Sequence, residues 1–430
     1  MNSNSKWFSQ LASRWRLIWF SLPGVLLTLA IVIDAKAQPI TPSDIKVRMQ
    51  NRRTWSFPAA GVYFTSEFSG ARLNGCEHLG GNEFKLVISP ENIPINRSPW
   101  YAFKIWSDLP KTVTLRFTYT YGEPRTRPWL SHDGDQWKEI ANADYAVESA
   151  SRTAVVKLDV TPQPLWVAAQ EMIGLKELSV WTDAKMRLKF ARSSIIGRSI
   201  EGRPIRQLIF AETTIPNYVF IMGRQHPPEV TGSLGLMSFV DTITGNSRLA
   251  RQFRREFQTV VVPLVNPDGV EHGHWRSNLG AVDLNRDWRP FAQPETRAVR
   301  DSFLSLGEQP GAQPFLLVDF HSTHTNIFYA QPDQLPIFPA DFTRRWRAAI
   351  HERCPEIHFR RDDSHNVGSA TSKAWGYEQF RVPAITYEYG YDTDRKLIRQ
   401  ASQVAAEEMM KLLLAELHSP QPGRRDRQSP

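Results

Sequence analysis

Residues 218–244 read YVFIMGRQHPPEVTGSLGLMSFVDTIT. The apolar run 218–222 has the length and composition of a buried strand, and Gly223 follows it. Pro228 suits the first turn of a helix, where its missing N–H costs little. The spacing predicts a helix over 229–244. A strand passing through a polar corner into a helix is half of a βαβ unit. In such sheets the functional groups gather beyond the carboxyl ends of the strands. This corner carries His226 and Glu229, three residues apart.

The same alternation extends outward. Strands are expected at 208–212, 259–265, 315–320 and 384–387. Helices are expected at 295–306, at 346 to about 352, and at 399–417. The resulting fold class is α/β, a mixed sheet covered by helices on both faces. This domain is assigned to 195–418.

Residues 38–165 carry a different pattern. Val113, Leu115, Phe117, Tyr119 and Tyr121 alternate with Thr112, Thr114, Arg116, Thr118 and Thr120. That is the period-2 signature of a half-buried strand. Segments 101–106 and 154–160 read similarly, and Gly80-Gly81 and Asp133-Gly134 supply turns. An all-β sandwich is expected here. A linker with helical patches at 166–194 joins it to the α/β domain. The polar, Pro-rich tail 419–430 is expected to be disordered.

Lys6, Arg14 and Arg16 precede the apolar run 17–33, and Ala35-Lys36-Ala37 offers a small-residue cleavage site. Residues 1–37 therefore read as a signal peptide, with a periplasmic or extracellular product and no stable membrane insertion after cleavage. Cleavage would remove four basic residues and Asp34, taking the formal charge from +8 to +5. That mild excess gives no case for nucleic-acid binding. The two cysteines, Cys76 and Cys354, fall in different expected domains and have no zinc-finger spacing. Any metal must come from histidine and carboxylate.

Four further groups lie at points where such a fold gathers its site. His321 ends the strand 315–320, and with His226 and Glu229 it makes three ligands, leaving a fourth position for water, as catalytic zinc requires. His321 is preferred to His324 because it ends the strand. Asp319 or Ser322 is expected to orient its second ring nitrogen. Glu388 ends the strand 384–387 and suits a general base. Asn285 and Arg286 offer a neutral donor and a bidentate fork for a free terminal carboxylate. Arg276 is a second guanidinium, suited to a developing oxyanion.

The order His-x-x-Glu, Arg, Asn-Arg, His, Glu resembles that of the zinc metallocarboxypeptidases of the carboxypeptidase A type. The run 266–288, NPDGVEHGHWRSNLGAVDLNRDW, looks like their cytosolic-carboxypeptidase branch, which carries a β-sandwich before the catalytic domain. The resemblance implies one Zn2+ on His226, Glu229 and His321, with Arg276 and Glu388 catalytic. It implies Asn285 and Arg286 as binders of a peptide's free C-terminus. Lys373 falls where family members line the pocket for the terminal side chain, and deglutamylating relatives carry a basic residue there. A cation at that position would favour acidic termini. The mobile tyrosine of classical members has no clear counterpart: counting back from Glu388 reaches Asn366, with Tyr377 and Tyr391 nearby. The rival readings are an N-acyl-amino-acid deacylase of the aspartoacylase type, and a glycan- or partner-binding protein using Trp100, Trp106, Trp129 and Trp137. The oligomeric state is not legible.

Overall fold

The computed structural model describes residues 46–148 and 152–418. The expected signal peptide and C-terminal tail lie outside the described residues.

The N-terminal region is two packed sheets. One has six strands, in the spatial order Thr54–Phe57, Val62–Thr65, Ala102–Ser107, Leu165–Ala168, Trp129–Ser131 and Lys138–Glu139. The other has five, in the order Gly75–Gly80, Glu83–Ile88, Lys111–Tyr119, Thr153–Val160 and Tyr145–Glu148. The alternating strand behaves as its pattern demands: Val113, Leu115 and Phe117 are fully buried, while Thr112, Thr114 and Arg116 are not. Their inner faces meet Phe64, Phe84 and Phe103 in one aromatic core.

The second region is built on one eight-stranded sheet. Its spatial order is Ala191–Arg198, Pro204–Phe210, Gln258–Val262, Asn217–Gly223, Gln313–Thr323, Ala384–Gly390, Ile327–Tyr329 and Arg360–Asp362. The four central strands are mutually parallel, and antiparallel pairings flank them on both sides. Alternate residues of the central strands feed two cores. Val219, Ile221, Val318 and Ile385 pack against Val230–Ile243, Phe342–Arg353 and Arg395–His418. Tyr218, Phe220, Leu317 and Ala384 pack against Pro294–Gly307 and Ser372–Phe380. Both faces are therefore covered, as the near-continuous apolar strands require.

The segment 166–194 is not a free linker. Leu165–Ala168 lies inside the six-stranded sheet, Leu175–Met186 is a helix, and Ala191–Arg198 is the edge strand of the large sheet. Leu178 packs with the sandwich core and Trp181 with the core of the large sheet. Helix Arg248–Glu256 was not foreseen; its strongly basic sequence hides an apolar face formed by Ala250 and Phe253. Cys76 and Cys354 are both free thiols.

One contact fixes the height of helix Val230–Ile243 above the sheet. A Cβ built on Gly232 would lie 2.6 Å from the backbone oxygen of His321. Gly232→Ala is expected to lift this helix from the strand and cost about 1–3 kcal/mol, the usual range for overpacking. Urea denaturation would read it as a lowered midpoint at constant slope. An unchanged midpoint would mean that the helix tolerates the displacement.

Candidate active site

The parallel register places His321 directly beside Glu388 at the carboxyl ends of adjacent central strands. His226 and Glu229 come from the corner that follows the central strand Asn217–Gly223. The two histidines and Glu229 are almost completely buried, and a ligand atom from each lies within 4.8 Å of the others. Among the described residues this is the one group of its kind.

The hydrogen bonds around this group determine what it can hold. Nε2 of His321 lies 2.8 Å from Asp319 Oδ2, and Nε2 of His226 lies 2.9 Å from Asp283 Oδ1. Each carboxylate favours the tautomer with its proton on Nε2. The two Nδ1 atoms are then left 3.1 Å apart, at 2.8 Å and 2.7 Å from the oxygens of Glu229. Inward lone pairs beside a buried carboxylate are a donor set suited to a cation, and two imidazoles with one carboxylate suit zinc. Burial would lower the pKa of His321, but Asp319 and Glu229 outweigh it and raise it well above the usual imidazole value. The two carboxylates thus favour positive charge beside Nδ1, a proton or, in its place, a metal ion.

Of the two residues expected to orient His321, Asp319 takes that role. Its Oδ2 also accepts from Gln225 and Ser372. Ser322 is turned to the backbone N–H of Gly232 and the hydroxyl of Thr231. Exposed His324 is not in the group. Asp283, within the run 266–288, contacts His226, caps the short helical turn Leu284–Arg286 and accepts from Arg276 Nε at 2.9 Å.

The remaining expected residues line one cavity of about 210 Å³ together with the His–Glu–His group. Glu388 has a buried Oε2 without a hydrogen-bond partner among the described residues. Burial, then the nearby charge of Glu229, pushes its pKa up to about 8. Nη1 of Arg276 lies 3.6 Å from Glu229. Asn285 Oδ1 accepts from the backbone N–H of Ser372 at 3.0 Å, so its NH2 is the end left to donate. Arg286 is exposed, lines the cavity, and has no ion pair among the described residues.

Lys373 is only 6% exposed, so it is not a surface lysine. Its Nζ donates to the carbonyls of Ala330 and His365, and burial brings its pKa down to about 8. Of the tyrosine positions, Tyr377 packs in the second core, whereas Tyr391 lines the cavity, as does Asn366.

The sandwich contributes more than the sequence revealed. Glu91 is fully buried and accepts from the backbone N–H groups of Trp275, Arg276 and Ser277, at 2.7, 3.0 and 2.8 Å, and from the Ser277 hydroxyl. Burial would raise its pKa, but His274, Arg72 and these N–H groups hold it below the usual carboxylate value. Arg72 donates to the Gly273 carbonyl at 3.2 Å. The loop that carries Arg276 is therefore gripped from the other region. No local pattern around Glu91 advertises this role. Asn96, Ser98 and Arg125, also from the sandwich, line the cavity. The tryptophans considered for ligand binding are engaged in packing: Trp100 is buried, Trp106 stacks on Tyr63, Trp129 lies under Arg395 and Trp137 meets Trp166.

A profile of the zinc carboxypeptidase family matches residues 181–410, more than half of the chain. The chain belongs to the zinc carboxypeptidase family, and its expected cofactor is one zinc ion. It is similar to cytosolic carboxypeptidase 6 of Caenorhabditis elegans, 21% identical over 293 residues, 62% of this chain and 64% of that protein. It is also similar to cytosolic carboxypeptidase 3 of Mus musculus, 34% identical over 306 residues, 62% of this chain and 30% of that protein. The chain thus spans less than two thirds of the length of these relatives. A metallo-carboxypeptidase from Pseudomonas aeruginosa superposes with a TM-score of 0.69 over 82% of this chain and 99% of that one, at 16% identity. That likeness establishes the fold, sandwich and sheet together.

Proposed function

We propose that the protein is an exported zinc-dependent carboxypeptidase that hydrolyses the C-terminal peptide bond of peptides and prefers acidic terminal residues. The observation that carries this is the meeting of the buried His–Glu–His group with Arg276, Asn285, Arg286, Lys373 and Glu388 around one cavity. His226, Glu229 and His321 would hold the metal. When bound, zinc supplies Lewis acidity toward the scissile carbonyl and the attacking water.

The protein's own groups divide the remaining work. Glu388 takes a proton from the attacking water and returns it to the leaving amine. Arg276 donates to the carbonyl oxygen as negative charge develops, and Asp283 holds its guanidinium in place. Asn285 and Arg286 fix the terminal carboxylate, which limits attack to the last peptide bond. Lys373 supplies a buried positive charge for the terminal side chain.

Export rests on residues 1–37 and stands against the cytosolic names of the relatives. N-terminal sequencing of protein recovered from the periplasm or medium would test it. A start at Met1, with the protein retained in the cytoplasm, would reject it.

The activity is tested by mass spectrometry of a peptide mixture with varied C-termini, with and without a zinc chelator. Stepwise, chelator-sensitive loss of terminal residues is expected. Hydrolysis of N-acetyl-aspartate with no peptide cleavage would point to a deacylase instead. Lys373→Met is expected to reduce kcat/KM for a terminal Glu about tenfold or more relative to a terminal Gln, the scale of one charged hydrogen bond. Equal loss on both substrates would show that Lys373 supports the fold and not the selectivity.

A further inference from the structure

We infer that Arg224 is a positioning residue for the metal: its guanidinium, together with the helix Pro267–Glu271 and its cap Asn266, moulds the corner 226–229 so that the two ligands on it meet at one point. This rests on the reading of His226, Glu229 and His321 as the metal ligands and deepens it.

Arg224 combines two costly features. It is only 3% exposed, yet it forms no ion pair among the described residues. Burial brings its pKa down to about 10, and the charges of Glu229, Glu177 and Glu171 limit the fall, so the side chain stays charged near neutral pH. Its backbone has φ +57°, in the left-handed region that a residue with a Cβ seldom adopts. A buried charge and a strained backbone both oppose folding. Glycine would relieve the strain, so the guanidinium itself is what this position requires.

The work of that guanidinium is local. Pro227 and Pro228 have no N–H, so the corner has few backbone donors of its own. Nε of Arg224 donates to the Pro227 carbonyl at 2.8 Å, and Nη1 donates to the Ser233 hydroxyl at 2.9 Å, near the start of helix Val230–Ile243. One side chain thus ties the strand exit, the corner and the helix together. Asn266 holds the same stretch by its backbone. Its N–H donates to the Arg224 carbonyl at 3.2 Å, and its Nδ2 donates to the Gln225 carbonyl at 3.0 Å. Gly269 permits the close approach: a Cβ there would lie 2.6 Å from Cγ of Pro227. Asp268 anchors the short helix in turn, accepting from the Ser199 hydroxyl at 2.7 Å and the Glu201 N–H at 2.9 Å. Arg224, Ser233 and Asn266 do not line the cavity, so they act on the site only through the corner. His321 is held separately, by its strand and Asp319. Loosening the corner would displace two ligands of the three.

The test is the zinc affinity of the metal-free full chain, measured by competition with a chromophoric chelator. The visible spectrum of the Co2+-loaded protein and a urea unfolding curve accompany it. Arg224→Met keeps much of the bulk and loses both donors. It is expected to weaken zinc binding about tenfold or more, the scale for groups that orient metal ligands, and to alter the Co2+ spectrum. Arg224→Lys, which keeps the charge and a donor, should lose less. Ser233→Ala frees one end of the guanidinium and should weaken zinc binding in the same direction. A folded Arg224→Met protein with the wild-type zinc affinity and Co2+ spectrum would overturn the inference. If Arg224→Met does not fold, an unchanged zinc affinity in Ser233→Ala would overturn it. Failure of the wild-type protein to bind zinc would instead overturn the metal assignment, so the two failures are distinct.

Discussion

Glu388→Gln is expected to lower kcat by about 10²–10⁴-fold, the range for loss of a positioned general acid or base, while zinc content stays unchanged. Glutamine keeps the size of the side chain but cannot accept and return a proton. The metal group should survive, because Asp319 and Asp283, not Glu388, hold the imidazoles. Glu388 sits beside His321 on the neighbouring strand, and the ladder around it is made by backbone. Steady-state kinetics with metal analysis of the same sample would decide the matter. A fall in kcat with loss of zinc would make Glu388 a support for the metal site. Full activity would remove it from the proposed mechanism.

Glu91→Ala should have the second large effect, although Glu91 lies in the sandwich. Its carboxylate accepts four hydrogen bonds from residues 275–277 and balances the buried charge of Arg72. Removing one partner of a buried charged pair typically costs about 3–5 kcal/mol, since the other is left uncompensated. Three backbone N–H groups would also lose their acceptor. The loop would then hold Arg276 loosely, so kcat should fall more than KM rises. Glu91→Gln, which keeps one acceptor oxygen, should be the milder variant in both respects. Chemical denaturation and kinetics on the two variants would check this. A stable Glu91→Ala protein with normal kcat would show that Asp283 alone is enough to place Arg276.

What the sequence disclosed, and what it withheld, follows from how far each interaction reaches along the chain. Period-2 alternation at 112–121 and the apolar run at 218–222 encode burial locally, so the sandwich strand and the central sheet were legible. His226 and Glu229 share one corner, and His321 and Glu388 each close an apolar strand, so their order along the chain, more than any one position, singled them out. Helix Arg248–Glu256 escaped notice because its arginines hide the spacing of Ala250 and Phe253. Asp283 was hidden for another reason: its partners His226 and Arg276 come together only in the folded chain. Glu91 had no signal at all, since it acts across the junction on residues far along the sequence. Lys373 was marked by resemblance alone, because its burial is a property of the folded chain.

The clamp on Arg276 also sets an order of events during synthesis. Glu91 and the backbone it holds at Arg276 are 185 residues apart in sequence. His321 and Glu388 come later still. Domains emerging from a ribosome tend to fold from the N-terminus onward. All the sandwich strands have therefore been made while the bond-cleaving groups are still being translated, and Trp275, which packs into the sandwich core, arrives with the arginine loop. Only when the strand carrying Glu388 enters the sheet do all these groups share one cavity. The nascent chain thus passes through most of its elongation without a finished site, a delay written into the wiring of the fold.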